Sequence, residues 1–159
     1  QDTWLFNGTI RENLRFNNPD VPDEKIYSAC RSVGVHDFIM TLDKGYDTVL
    51  SDAVGMSAGQ KQQITIARAI LLDAPMIIFD EATSSVDTRT EKLIQKAMDA
   101  LTEGRTSFII AHRLSTIKNC DKIMVMREGR IIELGTHYEL LEKGGFYAAL
   151  YNSQFENCA

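Results

Sequence analysis

The chain has 159 residues, 44% hydrophobic and 25% charged with 3 prolines, which fits one globular domain with a sizeable core. Its formal net charge of −5 excludes an electrostatic case for nucleic acid or an anionic membrane surface. Its apolar runs are only a few residues long, which excludes a membrane-spanning helix within them, and no signal peptide is expected.

In chain order, Gln1 to Pro22 mixes "NG" and "NNPD" turn signals around a short "TIRENL" segment. From Asp23, the residues Ile26, Ala29, Cys30 and Val33 fall at helical spacing, and Gly34 ends that helix. A short helix follows over His36 to Leu42, then the turn "DKGYD". Ser57 opens a longer helix to about Leu72, closed by "DAP". "PMIIFDE" is a short apolar, β-branched run and reads as a buried strand of a parallel sheet. Over Thr88 to Leu101 the pattern places Leu93, Ile94, Ala97, Met98 and Leu101 on one helical face. "TSFIIAH" is a second buried strand and Leu114 to Lys118 a short helical piece. "KIMVMREGRIIELG" predicts a hairpin around Glu128-Gly129, and His137 to Phe155 two short helices around Gly144-Gly145. Strand, helix, strand in the middle makes this an α/β protein with a parallel pair, preceded by a helical lobe. Three lobes are expected: 1–72, 73–136 and 137–159.

Cys30, Cys120 and Cys158 are odd in number and widely spaced, with no zinc-like pair, and read as reduced thiols of a cytosolic protein. The opening "QDTWLF" carries no initiator methionine and no polar lead-in, as expected of a piece of a longer protein.

Two acids end the first strand. In an open α/β sheet ligands bind beyond the carboxyl ends of the strands, where Asp80 could hold Mg²⁺ through water and Glu81 polarise an attacking water. The same pair could equally cap the strand or the turn after it. The stretch "GMSAGQKQQ" has a similar double reading. Ser57 and Gln60 form S-x-x-Q, a capping box that satisfies orphan N–H groups reciprocally. Capping does not explain Gly59, which costs the first helical turn roughly 1 kcal/mol relative to alanine. A helix N-terminus is also an anion site, and a missing side chain lets a phosphate approach the backbone. His112, at the end of "SFIIA", could bond a phosphate or a water, or simply satisfy local backbone. Asp87 suffices as the N-cap of "TRTEKL", and Gln1 is terminal.

These elements occur in one order, and together they closely resemble the nucleotide-binding domain of ABC transporters. "MSAGQ" resembles the family signature, "MIIFDE" the Walker B strand, "SSVD" the D-loop and "AHRLST" the switch-histidine loop, with Gln1 where the Q-loop glutamine belongs. The flanking "QDTWLFNGTIRENL", "NPD", "GYDTVL" and "GTHYELL" resemble the exporter branch, of multidrug or lipid type, whose ATPase domain follows a membrane-spanning domain. The resemblance covers essentially the whole chain. It implies a P-loop NTPase-like ABC ATPase fragment, from the Q-loop onward: a helical subdomain plus part of a mainly parallel sheet flanked by helices.

The resemblance also implies roles, with ATP as substrate and Mg²⁺ as cofactor. Asp80 and Gln1 would support Mg²⁺, Glu81 would be the general base, and His112 would contact the γ-phosphate. Gln1 would also couple the site to the membrane domain. Ser57, Ala58, Gly59 and Gln60 would contact a nucleotide held by the opposite domain, and Asp87 would sit at the dimer seam. Expected partners are a second ABC ATPase domain, identical or not, and a transmembrane domain of the same polypeptide, at the cytoplasmic face of the membrane; nucleic acid is not expected. A soluble ABC-type ATPase acting on ribosome or nucleic acid is the alternative, and a non-catalytic binding module a third reading.

Four departures from the family pattern stand out. No G-x-x-x-x-G-K-[ST] loop occurs in the 159 residues, so the chain alone is expected neither to bind ATP tightly nor to hydrolyse it. Met56 and Ala58 replace the usual leucine and glycine of the signature, and Gln63 stands where arginine is common. "SDAVG" lacks the usual glycine-rich acidic form. With upstream strands missing, apolar faces and self-association are expected.

Overall fold

The computed structural model describes residues 4–50, 55–80, 88–111 and 114–155. It divides into two compact units, Gln1–Phe108 and Ile109–Ala159.

The first unit begins with helix α1 (Ile10–Arg15), opened by a capping box. Thr9 N–H donates to Glu12 Oε2 at 2.6 Å and Glu12 N–H to Thr9 Oγ1 at 3.1 Å. Helix α2 (Asp23–Ser32) follows Pro22 and turns Ile26, Ala29 and Cys30 inward. Gly34 stops it in the left-handed region at φ +78°, where a Cβ would lie 2.8 Å from Leu93 Cδ1. Helix α3 (His36–Met40) and a 3₁₀ turn (Gly45–Asp47) bring Tyr46 into the core. The chain then returns to α1: Ile10 N–H donates to Thr48 O at 3.0 Å and Leu50 N–H to Gly8 O at 2.8 Å. Arg11 fastens the same closure, reaching Asp47 at 2.8 Å and also pairing with Asp23.

Helix α4 (Ala58–Leu72) packs against α1 and α2 and buries Ile64, Ile66 and Ala67. It ends at Asp73, a left-handed residue at φ 49° whose carboxylate accepts from Arg105 at 2.6 Å. Strand β1 (Met76–Asp80), helix α5 (Thr88–Thr102) and strand β2 (Thr106–Ile110) form the predicted β–α–β unit, with β1 beside β2 in a small parallel sheet. Helix α5 buries Ile94, Ala97, Met98 and Leu101, the predicted face, while Leu93 is half-buried.

The strands differ from their reading as buried. Phe79 is covered, but Ile78 on the opposite face is 65% exposed, and Met76, Phe108 and Ile110 are exposed too. Side chains of a strand alternate between two faces, and each face is buried only where another layer lies on it. The uncovered apolar face expected from the sequence is therefore present.

In the second unit, α6 (Leu114–Ile117) precedes an antiparallel hairpin of β3 (Ile123–Arg127) and β4 (Arg130–Gly135). Its turn has positive φ at Glu128 (50°) and Gly129 (75°), the two-residue geometry that matches strand twist. Helices α7 (His137–Glu142) and α8 (Phe146–Phe155) complete it. Ile123, Val125, Leu140 and Tyr147 form the core, with Leu114, Ile117 and Leu141 packed against it. The buried His137 sits beside that core, its Nδ1 2.8 Å from Tyr147 Oη.

Candidate functional site

The signature-like turn stands at the N-terminus of α4. Ser57 is the N-cap, with extended backbone (φ −66°, ψ 158°). Its N–H donates to Gln60 Oε1 at 2.8 Å, and Gln60 N–H donates to Ser57 Oγ at 3.2 Å. The capping box read from the sequence is thus formed. Helical bonding resumes with Lys61 N–H to Ser57 O at 3.1 Å, so Ala58 and Gly59 are the first-turn amides with neither cap nor intrahelical acceptor. Ser57 and Ala58 are exposed, Gln60 is half-buried and Gly59 is buried. An anion would therefore meet this end at Ser57 and Ala58, with the helix dipole behind them.

Asp80 is exposed at the carboxyl end of β1, the end beyond which ligands bind in open α/β sheets. Among the described residues no hydrogen bond joins it to the Ser57–Gln60 turn, and no group of three or more metal-binding side chains occurs. An exposed carboxylate suits a hard cation held partly through water. Gln1, Glu81, Asp87 and His112 lie outside the described residues.

Two residues set α4 in place: Gln63, noted in the sequence only as a departure from arginine, and Arg68, which went unread. Gln63 is buried and donates from Nε2 to Val33 O at 2.6 Å, tying α4 to the end of α2. Arg68 is only 7% exposed, and burial lowers its pKa. Its Nε donates to Asn13 O at 2.8 Å, Nη2 to Asn13 Oδ1 at 2.9 Å and Nη1 to Trp4 O at 3.2 Å. The guanidinium also lies 5.2 Å from the Phe16 ring centre, 5.9 Å from Phe6 and 6.0 Å from Trp4. The available signal was an arginine at i+4 from Ile64 on the inward face of "ITIARAILL".

A capped helix start of signature-like sequence, and a β–α–β frame whose first strand closes on an acid, fit the fold of an ABC ATPase fragment. The family model for ABC transporters matches residues 1–84, over half of the chain, and the chain belongs to that family. It is 54% identical over 157 residues to the uncharacterized ABC transporter ATP-binding protein YfiC of Bacillus subtilis, covering 98% of this chain and 26% of that protein. It is 52% identical to an ATP-dependent lipid A-core flippase of Chromohalobacter salexigens, covering 98% of this chain and 27% of the flippase. Among solved structures it is similar to a bacterial Atm1-family ABC exporter with ATP bound, with a TM-score of 0.84 and 40% identity. That match covers 97% of this chain and 27% of the exporter. The chain thus spans about a quarter of the length of these relatives. No helix among the described residues is long and apolar enough to cross a membrane.

Proposed function

We propose that this chain is the C-terminal part of the ATPase domain of an ABC exporter, from the Q-loop onward, and that the whole protein couples ATP hydrolysis to transport across a membrane. The observation that carries this reading is "MSAGQ" standing at a helix N-terminus, with Ser57 and Ala58 exposed and the Ala58 amide outside the helical ladder. The segments 1–72, 73–136 and 137–159 serve as signature-bearing helical lobe, catalytic core portion and C-terminal helices. A soluble ABC ATPase on ribosome or nucleic acid is not favoured, since the relatives above are named as a lipid A-core flippase and an ABC exporter.

In this reading Glu81 takes a proton from the attacking water, and His112 holds that geometry by bonding the γ-phosphate. Asp80 and Gln1 hold Mg²⁺, which when bound neutralises charge on the phosphates. The α4 N-terminus is lent to a nucleotide on a second ABC ATPase domain, and Asp87 lies at the seam between the two. Catalysis is positioning and electrostatic stabilisation of in-line attack. Gln1 faces the transmembrane domain of the same polypeptide, at the cytoplasmic side of the membrane.

The test is twofold. The full-length protein should hydrolyse Mg-ATP, and Glu81→Gln should abolish turnover while retaining nucleotide binding. The 159-residue chain, having no phosphate-cradling loop, should show no binding in titration calorimetry. Stoichiometric micromolar binding to that chain alone would overturn the assignment.

A further inference from the structure

Arg68 and Asn13 form a closed polar network. Asn13 is fully buried, and its Oδ1 accepts from Phe6 N–H at 3.0 Å as well as from Arg68. Its Nδ2 donates to Phe6 O at 3.0 Å and to Thr9 O at 3.1 Å. Both donors and both lone pairs of the amide are therefore used. Arg68 adds its bonds to the carbonyls of Asn13 and Trp4, from a planar fork whose donors cannot turn independently. The Trp4–Phe16 segment cannot slide along α4 without breaking several buried bonds at once, and unmade buried bonds are costly. Arg68 lies eleven positions along α4 from Ser57, a rigid span of about 16 Å.

We propose that Arg68 is a positioning residue. It clasps the Trp4–Phe16 segment to α4, so that a displacement of this segment is delivered as a displacement of the Ser57–Gln60 helix end. The inference rests on the ATPase reading above and adds to it a mechanical link between the chain that follows Gln1 and the signature turn. It also gives a use to a buried cation on a helix that buries Ile64 and Ala67 beside it. Lysine cannot replace it, because a single ammonium cannot reproduce the three-way fork or lie flat among Trp4, Phe6 and Phe16.

The test uses the full-length exporter in lipid, with Arg68→Lys and, from the other side of the clasp, Asn13→Ser. Mg-ADP binding is measured beside turnover, because ADP lacks the phosphate that the signature turn would meet. Misplacing that turn should lower kcat by roughly ten- to a hundredfold, while the Mg-ADP Kd stays within about twofold in both variants. Hydrogen exchange should show lost protection at Phe6, whose amide is held by Asn13. Wild-type kcat in Arg68→Lys overturns the proposal, as does a parallel loss of ADP binding and turnover, which marks a general folding defect. A wild-type exporter without ATPase activity would instead overturn the functional reading itself, so the two failures are distinguishable.

Discussion

The carboxylate of Glu133 occupies the space that a side chain on Gly145 would need. It accepts from Phe146 N–H at 2.7 Å and Tyr147 N–H at 2.9 Å, capping α8 from within β4. A Cβ at Gly145 would overlap Glu133 Oε1. The long side chain could swing aside, but only by releasing both amides at the N-terminus of α8. Gly145→Ala and Glu133→Ala should therefore have similar effects, each destabilising the second unit by about 1–2 kcal/mol. Urea unfolding should also show that the double variant costs little more than either single one. Additive losses would mean that the glycine answers to some other contact.

Gly34 is held on two sides, by its backbone conformation and by Leu93. Alanine there must adopt φ +78° and press a methyl group to within 2.8 Å of Leu93 Cδ1. Gly104 has a similar φ of +70° with nothing within 4 Å, and so isolates the backbone part of the cost. Gly104→Ala should lower stability by about 1 kcal/mol and Gly34→Ala by about 2–3 kcal/mol. Gln63→Leu should cost about 1–3 kcal/mol, because it strands the buried Val33 carbonyl. Shifts in denaturation midpoint at constant m-value would check all three. Equal losses at Gly34 and Gly104 would remove the Leu93 contact from the account.

The capping boxes at Thr9–Glu12 and Thr136–Glu139 make stability depend on pH. In each, the threonine backbone N–H is the largest cause that lowers the glutamate pKa, and the threonine hydroxyl adds to it. A depressed folded-state pKa gives stability that is fully present above the unfolded glutamate value of about 4.3. That stability is lost as pH falls through the folded values. Thermal melts across this range should fall less steeply for the double variant Glu12→Gln, Glu139→Gln. An unchanged pH slope would sink the assignment.

Buried Cys30 carries a thiol pushed up to about 11, chiefly by desolvation. At pH 8 only about one molecule in a thousand would hold the thiolate, even before access is considered. Cys30 should therefore resist iodoacetamide until the first unit unfolds, with an alkylation rate that tracks the unfolding constant. Rapid labelling in native buffer would place this helix face at the surface.

Local features were legible in the sequence. S-x-x-Q gave the cap of α4, Gly34 the end of α2, and Glu128-Gly129 the hairpin, because each is settled by residues within four positions. What could not be read is long-range. Arg68 meets Asn13 across 55 residues, Gln63 meets Val33 across 30, and Glu133 caps a helix that begins 13 residues later. Nothing in the neighbourhood of these residues announces their partners, and a polar side chain on a helix face reads first as solvent-facing. The exposure of Ile78 was missed as a property of the strand for a related reason: β-branching favours a strand, while burial depends on the layers around it. Of the candidate site, the Ser57–Gln60 turn and Asp80 stand where their local patterns put them.

Ser57 is observed as the cap of α4 and proposed to meet a phosphate, and one substitution can divide the two. As an N-cap it accepts from Gln60 N–H, and aspartate performs that duty as well as serine while placing a negative charge at the positive end of α4. Ser57→Asp should therefore leave the unfolding free energy of the chain unchanged or slightly raised, whereas Ser57→Ala should lower it by about 0.5–2 kcal/mol. For a helix end that receives a phosphate the order reverses. A carboxylate about 4 Å from a phosphate oxygen costs about 1–4 kcal/mol at effective dielectrics between bulk water and a protein surface. ATP turnover of the full-length protein should therefore fall tenfold or more in Ser57→Asp, and by less in Ser57→Ala. Stability and activity would then rank the two variants in opposite orders, which a purely structural cap cannot produce. If Ser57→Asp turns over ATP at the wild-type rate, the turn is a cap alone and the phosphate is bound elsewhere.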